Sequence, residues 1–97
     1  MDAHFYLRQA TAAHAQWIYA LDAVPQGGRS DADLIVSGSK DGTVRLWDEE
    51  TCDSVATLKG HQGTVMSLAS SRGGDMVFSG SFDRTIRVWA RGADGQG

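Results

Sequence analysis

The chain has 97 residues, 41% of them hydrophobic, and nine Lys and Arg against twelve Asp and Glu give a formal net charge of −3. It is long enough for one small domain, its apolar stretches fall far short of the roughly 20 residues needed to span a bilayer, and its first residues show no secretory pattern. The acidic balance and scattered cations weigh against nucleic acid held by its phosphates, and the single Cys52 reads as an ordinary turn-edge thiol of a reducing compartment.

Residues 1–12 carry two conflicting signals. His4 to Gln9 has the composition of a short strand, whereas Gln9 to Gln16 is rich in helix formers. Trp17 to Ala23 opens with aromatic and β-branched residues, which favours a buried strand over the short helix that periodicity alone leaves open. Val24 to Asp33, with the only proline and a Gly pair, reads as a loop. Leu34 to Ser39 follows as a strand, bounded by Asp41-Gly42, a pair that supplies the positive φ values of a tight hairpin. Thr43 to Trp47 alternates, placing Val44 and Leu46 on one face and Thr43, Arg45 and Trp47 on the other. After the acidic turn Asp48 to Asp53 comes a fourth strand, Ser54 to Leu58, and then a turn at Gly60 to Gly63. The series begins again with Thr64 to Ala69, Met76 to Ser81 and Thr85 to Trp89. The tail, residues 91–97, has almost no apolar content and is expected to be disordered. Short, evenly spaced strands with no helix between them describe an all-β antiparallel meander.

The second half of the chain repeats the first. Ser37, Gly38, Ser39, Asp41, Thr43, Arg45 and Trp47 recur as Ser79, Gly80, Ser81, Asp83, Thr85, Arg87 and Trp89, always 42 positions on. With the Gly60-His61 dipeptide and the strand-ending Trp47-Asp48 pair, this period resembles the WD-repeat β-propeller family, whose repeat is about 40–45 residues. The resemblance covers residues 13–90. It implies a propeller sector of about two four-stranded antiparallel blades, incomplete alone, since propellers typically have about four to eight blades. Residues 1–12 would be an N-terminal strand or helix, 13–58 the first blade, and 59–90 a second blade lacking its outer strand.

The resemblance also implies a hydrogen-bonded network in each blade. The second copy supplies His61, Ser79, Asp83 and Trp89, and the first supplies Ser37, Asp41 and Trp47. Its His should be His14, although Ala13 stands where the family has glycine. Aligning Leu21 with Leu68 leaves five extra residues in the first copy, within Pro25 to Asp33. The residue types suit the task. A hairpin carboxylate can accept from turn amides and an imidazole at once, and the imidazole's other nitrogen can meet a Ser hydroxyl that also takes the indole N–H. Removing one member leaves several unpaired.

A Ser, His and Asp together also invite a hydrolase reading. Against it, the Ser lies inside a strand, the constellation occurs twice and no separate oxyanion donors are evident. His4, His14 and His61 share no zinc-ligand spacing with Cys52, and neither Gly pair belongs to a phosphate loop, so no metal or cofactor is expected. Two blades would expose apolar faces, so further blades are required, from a longer chain or from homo-oligomer copies. Strand parity brings Gln16, Trp17, Lys40, Gln62, Thr64 and Phe82 to one end as a candidate protein-binding face. There Trp17 and Phe82 read either as contacts or as side chains packed on their own blades, and Lys40 as a contact or a solvated charge. By resemblance the expected role is a non-enzymatic protein-interaction scaffold, cytoplasmic or nuclear. The alternatives are a substrate-recruiting subunit of a ubiquitin ligase, an RNA-associated assembly factor, or a truncated product without function of its own.

Overall fold

A computed structural model describes residues 5, 7–10, 13–26 and 33–91. Seven strands follow in chain order: β1 (Ile18–Val24), β2 (Leu34–Ser39), β3 (Thr43–Asp48), β4 (Ser54–Lys59), β5 (Val65–Ser70), β6 (Met76–Ser81) and β7 (Ile86–Ala90). Each pairs antiparallel with the next in its sheet, giving a four-stranded sheet β1-β2-β3-β4 and a three-stranded sheet β5-β6-β7, with no helix among the described residues. We call the two sheets blade 1 and blade 2.

The repeat in sequence is a repeat in register. Val36 faces Leu46 and Ser37 faces Arg45 in blade 1, while Phe78 faces Val88 and Ser79 faces Arg87 in blade 2. Each blade therefore has a Trp face, carrying Trp47 or Trp89, and an aliphatic face, carrying Val44 and Leu46 or Ile86 and Val88. The aliphatic face of blade 1 packs on the Trp face of blade 2. Val36, Val44 and Val65 are fully buried there, with Leu46, Leu58, Leu68 and Trp89 against them. Each fully buried valine contributes roughly 1.5–3 kcal/mol, so this seam is the main source of cohesion between blades.

Glycine sets how closely the blades approach. A Cβ on Gly38 would come within 2.5 Å of a Val65 methyl, so only a residue without a side chain lets that valine lie against the sheet. At the other end of the seam Gly74 has φ +76°, and a Cβ there would fall 1.6 Å from the Pro25 carbonyl oxygen. The Ser70 hydroxyl donates to the Ala23 carbonyl at 2.7 Å beside it.

Several local expectations are revised. The β2–β3 connection is a three-residue loop, Lys40-Asp41-Gly42, closed by Gly42 N–H donating to the Ser39 carbonyl at 3.1 Å. Only Gly42 of the Asp-Gly pair has positive φ, as in a turn followed by a left-handed residue. In blade 2 that position is Arg84, at φ 70°. β1, β5 and β7 start one residue later than expected. Before β1 and β5, the carbonyls of Trp17 and Thr64 take the hairpin amides of Lys40 and Phe82 instead of extending the ladder. Neither strand nor helix forms at residues 5 and 7–10, because these residues have no strand to pair with and Phe5 and Leu7 stand in solvent. The inserted loop lies outside the described residues between positions 27 and 32, and the expected disordered tail lies outside them beyond Arg91.

Gly74→Ala should destabilise the chain by about 1–3 kcal/mol, from a left-handed backbone and a clash with Pro25. Gly73→Ala, whose Cβ would meet nothing nearer than Asp75 at 3.5 Å, should be near neutral. Urea unfolding of the pair measures the contrast.

Candidate functional site

Each blade holds one serine inside its second strand, Ser37 at 2% exposure and Ser79 at 1%, and a hydroxyl buried that deeply must find partners. In blade 2 the Trp89 indole Nε1–H donates to Ser79 Oγ at 2.8 Å, and His61 Nε2 lies 2.6 Å from the same oxygen. Because the indole is a donor only, the Ser79 proton goes to His61 Nε2, which leaves the imidazole proton on Nδ1. That N–H donates to Asp83 Oδ2 at 3.0 Å. Blade 1 repeats the geometry: Trp47 to Ser37 at 2.8 Å and His14 Nε2 to Ser37 at 2.6 Å. There the imidazole's other nitrogen is closer to Thr43 Oγ1, at 3.1 Å, than to Asp41 Oδ2, at 3.4 Å.

The structure thus brings His14, Ser37, Asp41 and Trp47 together, and His61, Ser79, Asp83 and Trp89 likewise. It adds two members that the sequence reading passed over. Thr43 and Thr85 donate their hydroxyls to the first carboxylate oxygen of Asp41 and Asp83, and their backbone amides donate to the same oxygen at 2.8 and 2.9 Å. The second oxygen takes the amide of Ala15 at 3.1 Å or Gln62 at 2.9 Å. Their identity in both copies of the repeat was the available signal. Ser39 and Ser81 belong with them, since their hydroxyls accept from the amides of Asp41 and Asp83 at 3.1 Å.

These contacts set the ionisation of the network. The Thr85 hydroxyl is the foremost cause holding the Asp83 carboxyl well below the usual carboxylate range. Desolvation opposes it, while the Gln62 amide, His61 and the Thr85 amide add to it. At Asp41 desolvation is the largest influence and works upward, but Thr43, Ala15 and His14 together prevail and hold it low. Desolvation pushes His14 below its ordinary value, outweighing the attraction of Asp41, and Arg45 adds to the lowering. Both serine oxygens lie inside their strands, each in contact with an indole and an imidazole.

Above this network, at the hairpin end of both blades, lie the other candidate residues. Trp17 is 70% exposed and precedes β1, and β1 itself is not the buried strand expected, since Ile18 is 47% and Leu21 67% exposed. The Trp17 carbonyl serves the hairpin, and its ring projects beyond the sheet. Lys40 Nζ sits 5.4 Å from the Trp17 ring centroid, within cation–π range, and Tyr19 lies tilted beside it at 6.5 Å. Phe82 is 69% exposed and does not fold back to bury its ring. Gln16 and Gln62 are exposed and Thr64 is half-buried. The Gly42 turn abuts the His61 carbonyl, which brings the blade 1 hairpin against the blade 2 entry loop at this end. Among the described residues no group of three or more His, Cys, Asp or Glu is placed to hold a metal ion, and no helix is long and apolar enough to cross a membrane.

A sequence model described as "WD domain, G-beta repeat" matches residues 6–48 and 52–90. Among curated proteins, the chain is 49% identical over 49 residues to the DENN domain and WD repeat-containing protein SCD1 of Arabidopsis thaliana, covering 48% of this chain and 4% of that protein. It is 41% identical over 54 residues to the peroxisomal targeting signal 2 receptor of Homo sapiens, 56% of this chain and 16% of the receptor. It is 38% identical over 61 residues to the nuclear distribution protein PAC1-2 of Uncinocarpus reesii, 60% of this chain and 13% of that protein. The chain spans less than a fifth of the length of each of these relatives.

Ser79→Ala leaves the Trp89 indole N–H and a His61 nitrogen without partners and should cost about 1–3 kcal/mol in thermal or urea unfolding. The pH dependence has two stages. His14 binds its proton more readily in the unfolded chain, so stability falls as pH drops through about 6.5. Asp41 and Asp83 are depressed in the fold, so a second loss begins below about pH 4. Melting temperature against pH reads both stages, and a flat profile between neutrality and pH 5 would contradict the first.

Proposed function

Because the chain belongs to the WD-repeat family, we propose that it serves as a non-enzymatic protein-interaction scaffold, binding other proteins through the hairpin end of its two blades. On this reading residues 13–58 form the first blade and 59–90 a second that lacks its outer strand. The paired networks are structural. They clamp each hairpin to its sheet, so that whatever stands on the hairpin is held on a rigid support.

The observation that carries the proposal is the exposure of two large aromatic rings, Trp17 and Phe82, at the same end of adjacent blades. Aromatic side chains left in water on a rigid base are the residues that most often dominate protein interfaces, because burying them is favourable and costs little side-chain entropy. Lys40, drawn over the Trp17 ring, offers a cation beside that apolar surface. A relative named as a receptor for a targeting signal is in keeping with recognition of polypeptide. The free Cys52 and the scattering of Lys and Arg along the sequence are in keeping with a cytoplasmic or nuclear setting and with protein rather than nucleic-acid partners.

The doubly substituted Trp17→Ala, Phe82→Ala chain should fold with an unchanged melting temperature, since neither ring is buried. In affinity capture read by mass spectrometry, the proteins retained by the unsubstituted chain should fall by about tenfold or more with the variant. Retention of the same proteins in equal amounts would exclude this face as the binding surface.

A further inference from the structure

Lys and Arg lie far apart in the sequence, but the fold gathers three of them at the hairpin end. Lys40 and Arg84 stand on the two hairpins, Lys59 ends β4 opposite Thr43, and all three are exposed. None is paired with a carboxylate among the described residues, where the ion pairs are His14–Asp41 and His61–Asp83, inside the networks. The acids of this end are turned inward. Both oxygens of Asp41 and of Asp83 accept amides, from Thr43 and Ala15 in blade 1 and from Thr85 and Gln62 in blade 2, so their acceptor capacity serves the networks.

The acid excess of the chain lies elsewhere: the β3–β4 turn alone carries Asp48, Glu49, Glu50 and Asp53. A six-residue strand at about 3.3 Å per residue puts that turn about 20 Å from the hairpins. That is more than twice the roughly 8 Å over which charge is screened at physiological salt. The hairpin end is therefore cationic toward whatever approaches it, although the whole chain stands at −3.

The cations alternate with the exposed rings. The Trp17 carbonyl takes the Lys40 amide at 2.9 Å, and Lys40 Nζ lies over the Trp17 ring. The Gly42 turn then meets the His61 carbonyl of blade 2, where the Thr64 carbonyl takes the amide of Phe82, two residues before Arg84. The order along this end is ring, cation, ring, cation, one of each on each blade. Packed sheets lie about 10 Å apart, which an extended chain crosses in about three residues. A ring with a cation near it suits an apolar side chain followed by a carboxylate, since the ring covers the first and the cation meets the second. It suits a nucleic-acid base poorly. Lys40 lies over the Trp17 ring and Tyr19 is tilted against it, where a base would stack, and a net charge of −3 repels a polyanion.

We propose that the partner of the hairpin end is an acidic polypeptide segment, bound extended across both blades with apolar side chains on Trp17 and Phe82 and carboxylates on Lys40 and Arg84. Lys59 adds to the field that draws it in. This inference rests on the hairpin end being the binding surface and adds the chemistry of what it binds.

Selection from a random phage-displayed peptide library on the full chain tests it. The recovered peptides should be enriched in Asp and Glu beside aromatic or aliphatic residues. Their synthetic versions should bind Lys40→Glu and Arg84→Glu chains about tenfold more weakly each, in fluorescence anisotropy, with melting temperatures unchanged by the loss of side chains that stand in solvent. Arg72→Glu, the same charge change at the opposite end, should leave affinity where it was. A library that returns no binder, or binders without acidic enrichment, overturns the inference, as does a polyuridine strand that binds more tightly than the peptides. The two readings fail differently. Peptides that bind the Trp17→Ala, Phe82→Ala chain undiminished remove the hairpin end as the surface, whereas peptides that need the rings but neither cation remove only the acidic partner.

Discussion

One buried hydroxyl in each blade constrains much of the rest. Ser37 and Ser79 sit inside their sheets where water does not reach, and each must be satisfied by an indole from the third strand and an imidazole from before the first. Those partners come from positions up to 28 residues apart in blade 2, between His61 and Trp89, so a single buried oxygen sets where the sheet begins, where it turns and where its third strand ends. The carboxylate of the hairpin extends the chain of bonds to the turn itself, and its low affinity for protons keeps it an acceptor for imidazole, hydroxyl and amide together. A fold this small has few apolar residues to spare for rigidity. The polar network supplies positional order that five buried valines alone would not.

The second constraint is that a blade cannot bury itself. Each sheet has two faces, and the chain covers one face of each by setting them against one another. Valine serves at the seam because a β-branched side chain fits a pleated surface, and glycine serves opposite it because any side chain would hold the sheets apart. The exposed Ile86, Val88 and Leu21 lie on the two faces that do not take part in this seam. In a quasi-one-dimensional repeat the interface between neighbours carries much of the stability.

Much of this was legible in the sequence. The period of 42 residues marked the blades, the alternation at Val44 and Leu46 marked a face, and all seven strands were read within a residue or two of their bounds. What escaped was the contribution of residues whose partners lie across a turn. Thr43 and Thr85 look like ordinary strand residues until the hairpin folds their hydroxyls onto Asp41 and Asp83. Trp17 looked like the start of a buried strand because composition favours it, yet the carbonyl it lends to the hairpin ends the ladder one residue later. The Asp41-Gly42 pair looked like a source of positive φ values, yet only Gly42 turns left-handed.

The sequence by itself determined the architecture and the membership of each blade, because a repeat reports its own register: whatever side chain sits at a position in one copy has the same place in its strand and sheet in the other. Tertiary structure alone decided which of those equivalent positions is covered. Val44 and Ile86 are the same residue in the repeat, one fully buried and the other in water, and nothing local separates them. The difference lies entirely in whether another sheet is packed against them, and burial is a property of the neighbour as much as of the residue.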